Sequence, residues 1–182
     1  MGKMFSAIEP AHREFIERQH IFFNASAAQQ GRVNVSPRDV ASLRILDDHT
    51  VIYLDRTGSG NETAAHLIAD GRLTLMFCAF EGAPLVMRLY GKGRIIARRS
   101  PEYLSLLAAH YGNIEAPGAR QIVHLTVDSI QTSCGMKVPF YDYVGERDQL
   151  DRWATVKGES ALEEYRRQKN SVSIDGLPTG LV

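Results

Sequence analysis

Apolar residues recur at strand spacing along most of this chain. "IFFNASA" and "RVNVS" flank the turn "AQQGR", whose Gly31 marks a hairpin. Residues 42–54, "SLRILDDHTVIYL", repeat the form: an apolar run, a polar turn, an apolar run. In "RLTLMFCAF", Leu73, Leu75, Phe77 and Ala79 alternate at period two. "LVMRLYGKGRIIARR" is one long strand interrupted at Gly91 and Gly93, the mark of a bulge or sharp bend. "QIVHLTVDSIQTS" is a further strand.

Helical spacing is rarer. "PAHREFIERQHI" has Pro10 in its first turn, with Phe15, Ile16 and Gln19 on one face. "SPEYLSLLAAHY" has Ser100 as cap and Pro101 at the first position; Tyr103, Leu104, Leu107 and Ala108 form its apolar face. Short hairpins imply antiparallel pairing, and glycines at a strand corner suit a barrel better than a flat sheet. The expected fold is mainly β: an antiparallel barrel of six or seven strands with two or three peripheral helices.

Residues 1–144 read as this barrel domain, and 145–182 as a polar helical extension that is not a domain of its own. Gly158 breaks the extension into two helices, with Leu150, Trp153, Leu162 and Tyr165 as contacts.

Charge narrows the function classes. Lys plus Arg equals Asp plus Glu, 21 against 21, which gives no electrostatic reason to expect nucleic acid or an acidic membrane surface. No apolar run reaches the length of a membrane span, and the N-terminus lacks the apolar core of a signal peptide. Cys78 and Cys134 make neither a disulfide framework nor a metal spacing, so a cytoplasmic protein with reduced thiols is expected.

Candidate chemistry concentrates in "DRTGSGNETAAHL", residues 55–67. Ser59 and Glu62 fit a capping box, Ala64, Leu67 and Ile68 an apolar helix face, and Gly71 a helix stop. The same geometry suits an anion: a helix start presents unpaired amides, glycines permit close approach, and Thr57, Ser59, Asn61 and Thr63 add donors. The stretch is one glycine short of a dinucleotide fingerprint and has no P-loop lysine. Residue types alone leave cap and cradle both open. On "VNVSPR", Asn34, Ser36 and Arg38 alternate with Val33, Val35 and Pro37, as a solvent face or as a polar row along a ligand. Arg38 and Arg56 are candidate cations to assist the loop's neutral donors. Arg88 is expected to pair with a carboxylate across a strand. The histidines show no ligand spacing; His66 falls off the apolar helix face.

The order "GRVNVSPRD", "VIYLDRTGSGNETAAHLIADGRLTLMF", "MRLYGKGRI" resembles the pyridoxamine 5'-phosphate oxidase-like family, over roughly residues 20–130. The resemblance implies an FMN-binding split barrel that forms a homodimer with one FMN per subunit at the interface. It implies that Asn34, Ser36 and Arg38 lie along the flavin, that the strand bearing Tyr53 and Leu54 supplies backbone contacts to the ring, and that Thr57, Ser59, Asn61 and Thr63 hold the phosphate. The true oxidases carry an Arg-Lys pair where Glu62 and Thr63 stand, an Arg at Ser36 and a Gln at Val86; "SIDGLPTGLV" has no counterpart to their Arg-rich C-terminal motif. A flavin-dependent oxidoreductase is therefore expected, with pyridoxamine phosphate not its substrate. The alternatives are a non-enzymatic module that binds or senses flavin, haem or another planar ligand, and a dimeric scaffold with no ligand.

Overall fold

The alternation read from the sequence folds into one antiparallel sheet. The computed structural model describes residues 2–181. Its strands are β1 (Lys3–Phe5), β2 (Ile21–Ser26), β3 (Asn34–Asp39), β4 (Leu43–Ile45), β5 (Thr50–Arg56), β6 (Arg72–Cys78), β7 (Val86–Ala97) and β8 (Ala119–Ser133). Their spatial order is β3-β2-β6-β7-β8-β5-β4, with β1 added against β8. The seven strands visible in the sequence pattern are all present. β1, the eighth, has only three residues, too few for a period to register.

The sheet curls on itself. β6, β7 and β8 lie between β2 and β5, yet the rings of Phe22 on β2 and Tyr53 on β5 are 5.3 Å apart. Strands in a sheet are spaced about 4.8 Å apart, so a flat sheet could not bring these rings together. The bend is built at Gly91. The β7–β8 register shifts between Tyr90 and Gly91. A Cβ on Gly91 would sit 1.9 Å from the Thr126 carbonyl oxygen, so the two main chains meet where only glycine fits.

Alternation along β5 divides the core. Val51 and Tyr53 face the inside of the curl, with Phe22, Phe77 and Leu89. Ile52 and Leu54 face the other side, where α3 (Pro101–His110) lays Tyr103 and Leu107. Ser100 caps α3 by accepting the Tyr103 amide. Leu104 and Ala108, expected on the same face, are exposed, because a helix lying flat on a sheet buries a narrow stripe.

α1 (Pro10–Glu17) buries Phe15 and Ile16. α2 (Glu62–Ala69) packs on β2, β6 and β7 with Ala64 and Leu67 buried. His66 is buried rather than off-face and hydrogen-bonds Ser26 Oγ at 3.0 Å, while Ile68 turns outward. Arg88 donates to Ser133 Oγ rather than to a carboxylate. Gly158, with φ of +72°, separates α4 (Gln149–Lys157) from α5 (Glu159–Lys169). Among the described residues no helix is long and apolar enough to cross a membrane, and no cluster of metal-ligating side chains occurs.

Candidate functional site

β3 is inverted relative to an ordinary edge strand. Asn34, Ser36 and Arg38 turn inward, whereas Val33 and Val35 are 70% and 60% exposed. The inward row forms one wall of a cleft of about 200 Å³; the loop 58–61 and the first turn of α2 form the other, with Arg120 at its base. Asn34, Ser36, Arg38, Ser59, Asn61 and Thr63, all singled out in the sequence, meet here. Asn34 and Asn24 both donate to Thr63 Oγ1, tying β2, β3 and α2 together.

The predicted capping box does not form. α2 starts at Glu62 with Asn61 as the cap residue, and no side chain caps it. Ser59 is exposed two residues upstream. The Glu62 carboxylate instead accepts the Ile174 amide, at 3.2 and 3.1 Å. Among the described residues, no main-chain carbonyl accepts the amides of Ser59, Asn61, Glu62 or Thr63. The helix start, with its positive dipole end, thus carries amides without main-chain partners on residues that line the cleft.

Behind the cleft lies a buried charge network. Asp55 follows Val51 and Tyr53 on the inward face of β5 and is 2% exposed. Arg120 donates to its Oδ2 through Nε and Nη2, at 3.0 and 2.7 Å. Arg38 Nη2 lies 3.2 Å from Oδ1. Burial pushes the Asp55 carboxyl up, but the charges of Arg120 and Arg38 and hydrogen bonds from Arg120 and Gln121 outweigh it and hold it below the usual carboxylate range. Burial alone would lower the Arg38 pKa; Asp55 reverses that and raises it.

The network also orients two amides. An ionised carboxylate only accepts, so Gln121 presents its NH2 group to Asp55 Oδ2, at 2.8 Å. The same NH2 donates to Asn61 Oδ1, also at 2.8 Å. Asn61 is thereby fixed with its Oδ1 toward Gln121 and its Nδ2 turned away from it. That group is buried and has no hydrogen-bond partner in the chain. A buried donor without an acceptor costs about 1–3 kcal/mol.

Three predicted residues are not at the cleft. Tyr53 lies inside the barrel core, and burial pushes its phenol up. Its main chain has neighbours on both sides, in β4 and β8. Leu54 points to the α3 side, as alternation requires. Thr57 is fully buried behind the loop, donating to the Gly118 carbonyl and accepting from Arg166. Arg56 is occupied elsewhere, by Asp151 and the Pro117 carbonyl. Tyr141 packs on Phe80 and Tyr143 stacks on His20, and neither lines the cleft.

Asp55, Arg120, Gln121 and Asn170 escaped the sequence reading. A signal was present: "VIYLD" and "ARQIVHL" each set a charge on an otherwise apolar strand, and a buried charge needs an opposite one.

A mainly antiparallel sheet curled into a half-barrel, with helices at its periphery, defines the split-barrel class. A family model described as Pyridoxamine 5'-phosphate oxidase matches residues 8–134. The chain belongs to the pyridoxamine 5'-phosphate oxidase family. It is 38% identical to the Pyridoxamine 5'-phosphate oxidase family protein ustO of Aspergillus flavus, over 98% of this chain and 78% of that one. Among solved structures, a putative pyridoxamine 5'-phosphate oxidase of Lactobacillus delbrueckii superposes with a TM-score of 0.54 at 16% identity, covering 69% of this chain and 94% of the other. HupZ of Group A Streptococcus gives 0.52 at 20% identity, covering 68% and 91%. HutZ of Vibrio cholerae, a heme storage protein, gives 0.51 at 15% identity, covering 71% and 98%. At these identities the likeness concerns the fold.

Proposed function

We propose that the cleft at the start of α2 binds the phosphate of FMN and that the protein is a flavin-dependent oxidoreductase acting on a small molecule. The observation that carries this reading is the buried Asn61 Nδ2, without a hydrogen-bond partner in the chain, on a residue that lines a cleft at the start of α2. Membership of the family supports it. The donor set fits a phosphate dianion without a lysine: main-chain amides, Asn61, the Ser59 hydroxyl and Arg38. A cleft of about 200 Å³ suits the phosphate group and not a tricyclic ring, which would lie outside it along β3. Bound flavin would supply hydride chemistry; the chain's part is to hold, orient and exclude water.

The formal charges around the cleft cancel, with Arg38 and Arg120 against Asp55 and Glu62. Affinity then rests on hydrogen bonds rather than on net charge. Glu62 and Thr63, in place of an Arg-Lys pair, argue against pyridoxamine 5'-phosphate as the substrate. The exposed Val33 and Val35 on the outer face of β3, with Phe140 and Val144, support a homodimer that covers them and completes the ring site. Two unpaired cysteines, Cys78 and Cys134, agree with a cytoplasmic location.

A binding or sensing module without turnover is the second reading. No histidine, cysteine or lysine lines the cleft to move a proton, and HutZ shares the fold.

Saturating FMN is expected to raise the melting temperature; ligand at 100 times Kd adds about 2.7 kcal/mol of stability. Asn61→Asp, which keeps the acceptor for Gln121 and replaces the Nδ2 donor by a carboxylate oxygen, is expected to weaken FMN binding at least about tenfold, a loss of about 1.4 kcal/mol. It should leave riboflavin, which lacks the phosphate, unaffected. A melting curve indifferent to FMN overturns the flavin reading. Flavin reduction by a nicotinamide donor under anaerobic conditions separates enzyme from module.

A further inference from the structure

The loop of residues 57–62 is held from behind by the C-terminal extension, which lies beyond the part of the chain that the family model matches. Asn170, fully buried at the end of α5, makes two contacts. Its Nδ2 donates to the Gly58 carbonyl at 3.0 Å, and its Oδ1 accepts from Arg120 Nη1 at 2.8 Å. The same Nη1 donates to the Gly60 carbonyl at 2.9 Å. One turn earlier, Arg166 Nε donates to Thr57 Oγ1 at 2.8 Å. Further along, the Ile174 amide holds the Glu62 carboxylate. Thr179 closes the tail by donating to the Asn170 carbonyl.

Peptide planarity turns these contacts into a directional constraint. In a trans peptide the carbonyl of one residue and the N–H of the next point in opposite directions. With the Gly58 and Gly60 carbonyls drawn toward Asn170 and Arg120, the Ser59 and Asn61 amides point away from those two side chains.

We propose that Asn170 is a positioning residue of the anion cleft, and that the C-terminal extension is a working part of the ligand site. The inference rests on the phosphate reading of the cleft. A side-chain amide suits the position because it offers a donor and an acceptor on one short, planar group. Aspartate could still accept from Arg120 but would set a second oxygen against the Gly58 carbonyl. The Ile174 amide has a related effect on charge: it engages Glu62, the one acidic side chain among the loop and first-turn residues, and so limits its repulsion of a dianion.

The test uses the full chain with Asn170→Asp and Asn170→Ala. Calorimetry compares FMN with riboflavin, and amide NMR follows Ser59 and Asn61 as inorganic phosphate is added. FMN binding is expected to weaken at least about tenfold (about 1.4 kcal/mol) in each folded variant, with riboflavin unchanged. The phosphate-induced shifts at Ser59 and Asn61 should be present in the wild type and lost in the variants. Wild-type FMN affinity in Asn170→Asp overturns the positioning role and leaves the phosphate reading standing. Failure of the wild type to bind FMN removes the flavin alone. Inorganic phosphate then decides: wild-type shifts at Ser59 and Asn61 that vanish in Asn170→Asp retain the inference, and their absence in the wild type overturns it. If Asn170→Ala does not fold, Asn170→Asp decides, because it keeps the Arg120 contact; if neither folds, Asn170 serves the fold itself and the positioning role is overturned.

Discussion

Asp55→Ala is expected to destabilise the fold by about 3–5 kcal/mol, the range for leaving a buried charge without its partner. Arg120 is the charge left behind. Its side chain is 1% exposed, and Asp55 is its only carboxylate among the described residues. Gln121 and Asn61 would also lose their fixed orientation, since the carboxylate sets both amides. Asp55→Asn should cost less, because an amide still fills the space, but it should weaken anion binding because the Gln121 amide is then free to turn over. Denaturant unfolding and an FMN or phosphate titration on the same samples check both effects. A loss below about 1 kcal/mol in Asp55→Ala, the scale of an exposed pair, would show that the network is wetter than its burial implies. The pH dependence has a definite sign. Asp55 has a folded pKa below its unfolded value, so its stabilisation is complete above the unfolded value of about 3.9. It is lost as pH falls through the folded pKa, and Asp55→Asn should therefore flatten the acid limb of the stability profile.

Gly91→Ala is expected to cost about 3 kcal/mol or more, the upper end for overpacking. The added methyl would lie 1.9 Å from a main-chain oxygen of β8, and a paired strand cannot yield as a flexible side chain can. β7 and β8 would have to part at the point where the sheet bends. Gly82→Ala is the control. There is open space around Gly82, and only its φ of +67° opposes a side chain. Its cost should stay near about 1–2 kcal/mol, the penalty for the left-handed region. Comparable losses in the two variants, read from thermal or denaturant unfolding, would show that the close approach at Gly91 is not what shapes the sheet.

Most strands were legible because a half-buried strand repeats every two residues, and that period survives in Leu73, Leu75 and Phe77 without any knowledge of neighbours. The break at Gly91 and the cap at Ser100 were legible for a similar reason: each is a local steric or hydrogen-bonding demand. Ser59 and Glu62 misled. Their spacing satisfies the capping rule, but the Ile174 amide, 112 residues away, competes for the Glu62 carboxylate. His66 misled as well, because an amphipathic reading assigns polar residues to solvent and cannot foresee that Ser26 waits opposite.

The polar row of β3 marks the boundary between the two kinds of information. Alternation alone places Asn34, Ser36 and Arg38 on one side and Val33 and Val35 on the other, and that much is local geometry. Which side faces inward depends on where the curled sheet brings β3 relative to β5, since Arg38 meets Asp55 only through that curvature. The chain's own order of residues determined its strands, its bend and the loop rich in donors. Tertiary structure alone decided that Asp55, Arg120, Gln121 and Asn170 would converge behind that loop, because side-chain periods act over a few residues whereas these contacts close over 50 to 66.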